Sequence, residues 1–214
     1  MKTSLYIDVH RGEFAIEDPW LQPPEATGVP LVRSSDGSRL RLVTSVALYY
    51  DAARLYVLFE GEDDHIVSTH TENDAPLYEE DVVEAFIAPG KKDRYFELEV
   101  SPTGVVFDAA IDSPDGVRDT MKANVAWECR DLFVAVRHER VRGKSRENAR
   151  FSTVLAIPFS SLTTPPPTPG DFWAANFFRV DRHPRGDEFG AWSPTGKTPP
   201  DFHVTSAFGS LRFR

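Results

Sequence analysis

PLYEEDVVEAFIAPGKKDRYFELEVSPTGVVFDAA, residues Pro76–Ala110, reads as three strands, one tight turn and an acidic cluster. From Tyr95 to Val100 the alternation is strict: Phe96, Leu98 and Val100 point one way, Tyr95, Glu97 and Glu99 the other. Ser101-Pro-Thr-Gly104 supplies a turn, since proline presets φ at its second position and glycine relaxes the exit. Val105 to Ala110 returns as a strand. A four-residue loop predicts Val100 opposite Val105, Leu98 opposite Phe107 and Glu97 opposite Asp108. Like charges directly opposed repel by an amount comparable to the roughly 0.2–1 kcal/mol of a good cross-strand pair. Either an arginine from elsewhere or a ligand must offset that repulsion. The preceding run, Asp81–Ala88, is an apolar strand with Glu84 in its middle, and extended backbone places Tyr78, Val82, Glu84 and Phe86 on one face. Buried glutamate is rarely tolerated unpaired. Glu84 is therefore half of a structural ion pair or a ligand contact, and periodicity leaves the two equal.

Similar patterns recur outward from this stretch. Leu5–Val9 is a first or edge strand and Leu40–Val43 another candidate. Ser45–Tyr50 and Leu55–Glu60, joined at Asp51–Arg54, form the clearest hairpin, with Val46, Leu48, Tyr50, Leu55, Val57 and Phe59 at every second position. Val125–Cys129 and Leu132–His138 suggest a hairpin turned at Arg130-Asp131. Phe151–Ile157 returns to strand pattern before Pro158 ends it in a short helical turn. Phe172–Asp181 is apolar on both faces apart from Asn176 and Arg179, which need partners there; Arg179 is the natural candidate to meet Glu84, Glu97 or Asp108. A closing strand lies around Phe208–Phe213. The proline-rich segment Asp18–Gly28 wraps the outside, with Trp20 as a core cap or an exposed stacking platform, and Val141–Arg150 and Thr163–Gly170 are connectors. Short strands separated by turns predict an all-β protein, an antiparallel β-sandwich of jelly-roll or immunoglobulin-like type with few short helices. At 214 residues one domain over 1–214 is expected.

The formal charge of −9 argues against a nucleic-acid or anionic-membrane partner, which clustered lysine and arginine would serve. A neutral ligand is compatible with either sign. The single cysteine, Cys129, excludes an internal disulfide framework. The first ten residues lack the apolar core of a secretory signal, so the chain as given reads as cytoplasmic. The acidic run Gly61–Asp81 is a solvated connector or, through Glu62, Asp63, Asp64 and Asp74, a calcium site, although its spacing is not that of an EF-hand. His65 and His70 read as surface residues.

The segments PLYEEDVVEAFIAP from Pro76, YFELEVSPTGVVFDA from Tyr95, FSTVLAIPFSSL from Phe151, FWAANFFRVD from Phe172, then AWSP and the terminal FGSLRF, together resemble the family 9 carbohydrate-binding modules, found attached to xylanases and related to the DOMON-like sandwiches. The resemblance spans Leu40 to the end and rests on the order and spacing of these segments. It implies a β-sandwich that binds the end of a sugar chain, two aromatic rings gripping a pyranose while polar side chains read its hydroxyls. Glu84 then matches the family's carboxylate at the D-x-V-E motif, Trp192 the second gripping ring, and Asn176 with Arg179 the polar strand. Tyr78 stands where the first tryptophan is expected. Glu97 and Asp108 join them as hydrogen-bonding candidates, and the calcium known in relatives falls on no particular residues. The function this implies is non-catalytic binding of a mono- or oligosaccharide. The alternatives are a glycoside-processing enzyme using Glu84 with Glu97 or Asp108, a haem-binding redox domain whose axial methionine would be Met121, and an interaction module.

Overall fold

The computed structural model describes residues 5–13, 15, 17–20, 25–140, 149–162 and 165–214. Two strands carry the clearest alternation, β4 (Thr44–Tyr50) and β5 (Arg54–Asp63), and they pair antiparallel with Val46 opposite Phe59 and Leu48 opposite Val57. Asp51 closes their turn by accepting the backbone N–H groups of Ala53 and Arg54. β10 (Phe133–Arg140) and β11 (Ala149–Pro158) extend this layer, and β2 (Val29–Pro30) pairs with its β4 edge. The facing layer holds β12 (Phe172–Asp181), β6 (Val82–Ala88), β7 (Arg94–Val100), β8 (Val106–Asp112) and the short β9 (Lys122–Asn124), in that order, with β14 (Gly209–Phe213) on the other side of β12. β13 (Glu188–Ala191) pairs with β12 and with β3 (Val32–Arg33).

One strand joins the two layers. In β1 (Tyr6–Arg11), Tyr6–Val9 runs parallel to β14, while His10 and Arg11 pair parallel to β4. The result is one curled sheet folded into a β-sandwich, antiparallel except at β1. Its main core is filled by the inward positions of both layers: Leu48, Val57 and Leu155 from one, Ala85, Leu98 and Phe177 from the other. A second apolar cluster lies on the outer face of the β12–β6–β7–β8 layer, where Phe86, Tyr95, Ile111 and Phe178 are covered by Phe202 and Phe208. Phe202 stacks on Phe178 at 4.2 Å between centroids. The chain after β13 therefore crosses this face as a cover, and strands that look buried on both sides are so.

Three expectations differ. Leu40–Val43 forms no strand; the chain there leads into β4. Val125–Cys129 forms no hairpin with Leu132–His138, because this stretch crosses from one layer to the other with Trp127 packed on Phe96 at 4.7 Å, and β10 pairs with β11 instead. The β7–β8 register is one residue away from that expected: Val100 faces Val106, Glu99 faces Phe107, Leu98 faces Asp108 and Glu97 faces Ala109. The loop is longer by Val105, since Ser101 Oγ accepts the N–H groups of Thr103 and Val105, and Gly104 takes a left-handed φ of 84°. A slip of one residue moves each side chain to the opposite face. Asp108 therefore points toward the sandwich interior and never meets Glu97. Residues 141–148 and 163–164 of the two expected connectors lie outside the described residues.

Trp192 wedges into the main core over Gly209, whose place in β14 leaves no room for a side chain: a Cβ there would lie 2.4 Å from the Trp192 ring. Gly209→Ala is expected to destabilise the fold by about 1–3 kcal/mol, the cost of overpacking, read as a lower denaturant midpoint with unchanged slope.

Candidate functional site

An open hollow of about 770 Å³ lies on the outer face of the β6–β7–β8 layer. Its floor is made by the pleat. Glu84 on β6 sits directly opposite Glu99 on β7, and Glu97 follows two residues earlier on the same face, opposite Phe86. One carboxylate oxygen from each lies within 4.8 Å of those of the other two, and Glu84, Glu97 and Glu99 are 2%, 6% and 1% exposed. Tyr78, on the short 3-10 turn Leu77–Glu79, stands at the mouth and is half exposed. Phe107, Met121, Phe189 and Phe202 supply apolar wall. Arg118, Arg182 and Lys197 bring positive charge, two of them already engaged: Arg118 pairs with Asp201 at 3.0 Å, and Arg182 with Asp187 at 2.8 Å and the Tyr78 carbonyl at 2.7 Å.

Burial sets the protonation of this floor. Desolvation pushes Glu84 and Glu99 well above the ordinary carboxyl range, reinforced by the charge of their neighbours. Glu97 is raised to about 7 by burial, against its hydrogen bond to Glu99 and the field of Arg118. His203 Nε2 lies 3.7 Å from Glu97, while burial lowers the imidazole to about 4 and keeps it neutral. Its Nδ1 shares a 2.6 Å hydrogen bond with the Tyr95 hydroxyl. Glu99 Oε2 has no hydrogen-bond partner. Protonated, such a floor both donates and accepts hydrogen bonds.

The model of carbohydrate-binding family 9 matches residues 42–213. The chain belongs to that family. Among solved structures it is similar to a protein of Bacteroides uniformis ATCC 8492 described as a "putative carbohydrate-binding protein", at 17% identity and a TM-score of 0.77, over 99% of this chain and 100% of that one. It is also similar to a family 9 carbohydrate-binding module from Caldicellulosiruptor kristjanssonii, solved with cellotriose (15% identity, TM-score 0.61, 98% of this chain and 94% of that one). The same module was solved with glucose (15%, 0.61, 98% and 96%). At these identities the likeness is one of fold. A search of curated proteins returned no match.

Of the candidates singled out in the sequence of this family 9 chain, the structure brings Tyr78, Glu84 and Glu97 together around the hollow. Four others lie elsewhere. Arg179 follows Phe178, the residue opposite Glu84, and so faces the opposite side of the sheet; buried, it donates to Asp63 at 2.9 Å, Thr44 Oγ1 at 2.8 Å and the Glu62 carbonyl at 2.8 Å. Asn176 is fully buried and ties β12 to Ser193 through both atoms of its amide. Asp108 accepts the Cys129 N–H at 3.1 Å. Trp192 is 4% exposed in the main core, beside Phe177 at 5.8 Å, and offers no face to a ligand. Sequence reasoning passed over Glu99, Arg118, Phe202 and His203. Glu99 alone had a signal, its shared parity with Glu97.

The four acidic candidates for calcium do not converge. Asp74 is exposed, Asp64 is held by Arg41 and Arg185, and Asp63 by Arg179. Among the described residues, the carboxylates close enough to share an ion are Glu84, Glu97 and Glu99, and separately Asp63, Asp81 and Asp181; Arg179 already supplies the cation of the second group. The haem reading does not fit either, because Met121 Sδ and His203 Nδ1 converge on one Tyr95 hydroxyl, at 3.6 and 2.6 Å, rather than facing each other across a ring-sized gap.

A carboxyl whose pKa is raised by folding stabilises the fold fully below its unfolded value, and that contribution is lost as pH rises through the folded value. For Glu97 the window runs from the ordinary glutamate range to about 7. Glu97→Gln is therefore expected to become more stable relative to wild type on going from pH 4 to pH 8, by roughly 1–3 kcal/mol, measured as the difference in chemical denaturation at the two pH values.

Proposed function

We propose that the chain is a single non-catalytic domain that binds the end of a saccharide in this hollow. One observation carries the reading: a cleft open to solvent whose floor is three buried carboxyls and whose mouth presents an exposed tyrosine ring. Sugars combine C–H patches, which stack on aromatic faces, with hydroxyls that need both donors and acceptors. Tyr78 supplies the outer stacking face, with Phe107, Phe189 and Phe202 as apolar wall. Glu84, Glu97 and Glu99 read hydroxyls from below, and Arg118, paired with Asp201 on the wall, adds a donor at the side of the hollow. Family membership and the cellotriose and glucose complexes of a family 9 module support the ligand class.

Isothermal titration with glucose and cello-oligosaccharides tests this directly. Tyr78→Ala is expected to weaken binding about 5-fold or more, and Glu97→Ala about 10- to 100-fold, the scale of losing a stacking face and a buried hydrogen-bonding group. Absence of saccharide binding, or affinity unchanged in both variants, overturns the proposal.

A further inference from the structure

The floor of the hollow holds more acceptor capacity than the protein satisfies. Glu84, Glu97 and Glu99 are almost wholly out of water. Among the described residues the only basic side chain within ion-pair reach of them is His203, which stays neutral. Arg118 acts on Glu97 from a distance but is paired with Asp201, Arg182 is paired with Asp187, and Lys197 lies elsewhere on the wall. One atom of this floor is orphaned outright: Glu99 Oε2 is buried and has no hydrogen-bond partner, on a residue that lines the hollow. A buried carboxylate oxygen without a donor keeps its desolvation cost unrecovered. It is an opening for a ligand that brings one.

We infer that the preferred saccharide carries a free amine, with its ammonium seated on Glu84, Glu97 and Glu99; this rests on the sugar-binding reading above. An ammonium has three free N–H donors and one positive charge, against three carboxyl groups. Charge-assisted N–H···O bonds run at about 2.7–2.9 Å, so tetrahedral N–H directions separate the three acceptors by roughly 4.6 Å. One oxygen from each residue lies within 4.8 Å of the other two, which admits that arrangement. A hydroxyl in the same place brings one donor and no charge. The floor would then have to keep its own protons. An amine instead stabilises the ionised carboxylates, so its binding near neutral pH is coupled to proton release from a floor whose members are raised by burial. The pyranose ring is then positioned toward Tyr78 and the phenylalanine wall, as for a neutral sugar.

The test is titration calorimetry on the chelator-treated full chain at pH 7, comparing glucosamine with glucose and N-acetylglucosamine, and β-1,4-linked glucosamine trimer with cellotriose. The expected result is at least 10-fold tighter binding of the free amine than of either counterpart, with heats that vary with buffer ionisation in the sense of proton release. Glu99→Gln should bring the preference to within about 2-fold. Glu84→Gln is the parallel variant, and thermal melts establish that each is folded. Cellotriose binding as tightly as the glucosamine trimer overturns the amine preference and leaves the sugar reading standing. No saccharide binding overturns both. A preference that persists in both glutamine variants, or calcium that takes the floor and displaces the amino sugar, also overturns the inference.

Discussion

Three glutamate carboxyls lie side by side on a sheet face otherwise lined by apolar residues such as Phe86, Tyr95, Ile111 and Val180, and water barely reaches them. In an aqueous setting such neighbours would repel; out of water each must hold a proton or meet a cation. The surrounding architecture answers that constraint. The cover formed by the chain after β13 seals Phe86, Tyr95 and Phe178 and brings His203 to the edge of Glu97, and a hollow remains above the carboxyls. Tyr78 stands at the entrance on its short turn, and Arg182 donates to its carbonyl at 2.7 Å, so the cationic wall also fixes the mouth.

The opposite side of the same strand pair solves a different problem. Arg179 is buried between the layers and is met by Asp63, with Asp181 at 3.8 Å, and its guanidinium lies 4.8 Å from the Phe151 ring. A buried pair of this kind contributes little net stability, yet removing one partner strands the other and is costly. Its effect is to fasten the two layers at the end where β5 and β12 meet. The two polar groups of β6–β12 therefore have separate tasks, a neutralised structural lock inside and an unneutralised floor outside.

Much of this was legible in the chain. Strict alternation located β4, β5 and β7, a run apolar on both faces located β12, and parity put Glu84 on one face with Tyr78 and Glu97 on one face with Glu99. What could not be read was which long-range neighbour each polar residue meets. The assignment of Arg179 to Glu84 failed on parity: position 179 follows the residue opposite Glu84 and must face away. Asp108 failed on a single loop residue, Val105, whose N–H is drawn to Ser101 Oγ. Trp192 sits among glycine, serine and proline and looks like a loop residue, but the ring-sized space above Gly209 draws it into the core. Phe202 and His203 belong to an aperiodic segment, and only the folded cover brings them to the hollow.

Ligand binding in this hollow requires a floor of buried, proton-holding carboxyls that a ligand can reach. Carbon-detected NMR titration of the Glu84, Glu97 and Glu99 carboxyls, with and without saturating saccharide, measures that directly. The expected midpoints lie above the ordinary glutamate range, with Glu97 at about 7, and the ligand displaces all three. Ordinary midpoints that the saccharide leaves unmoved would contradict it.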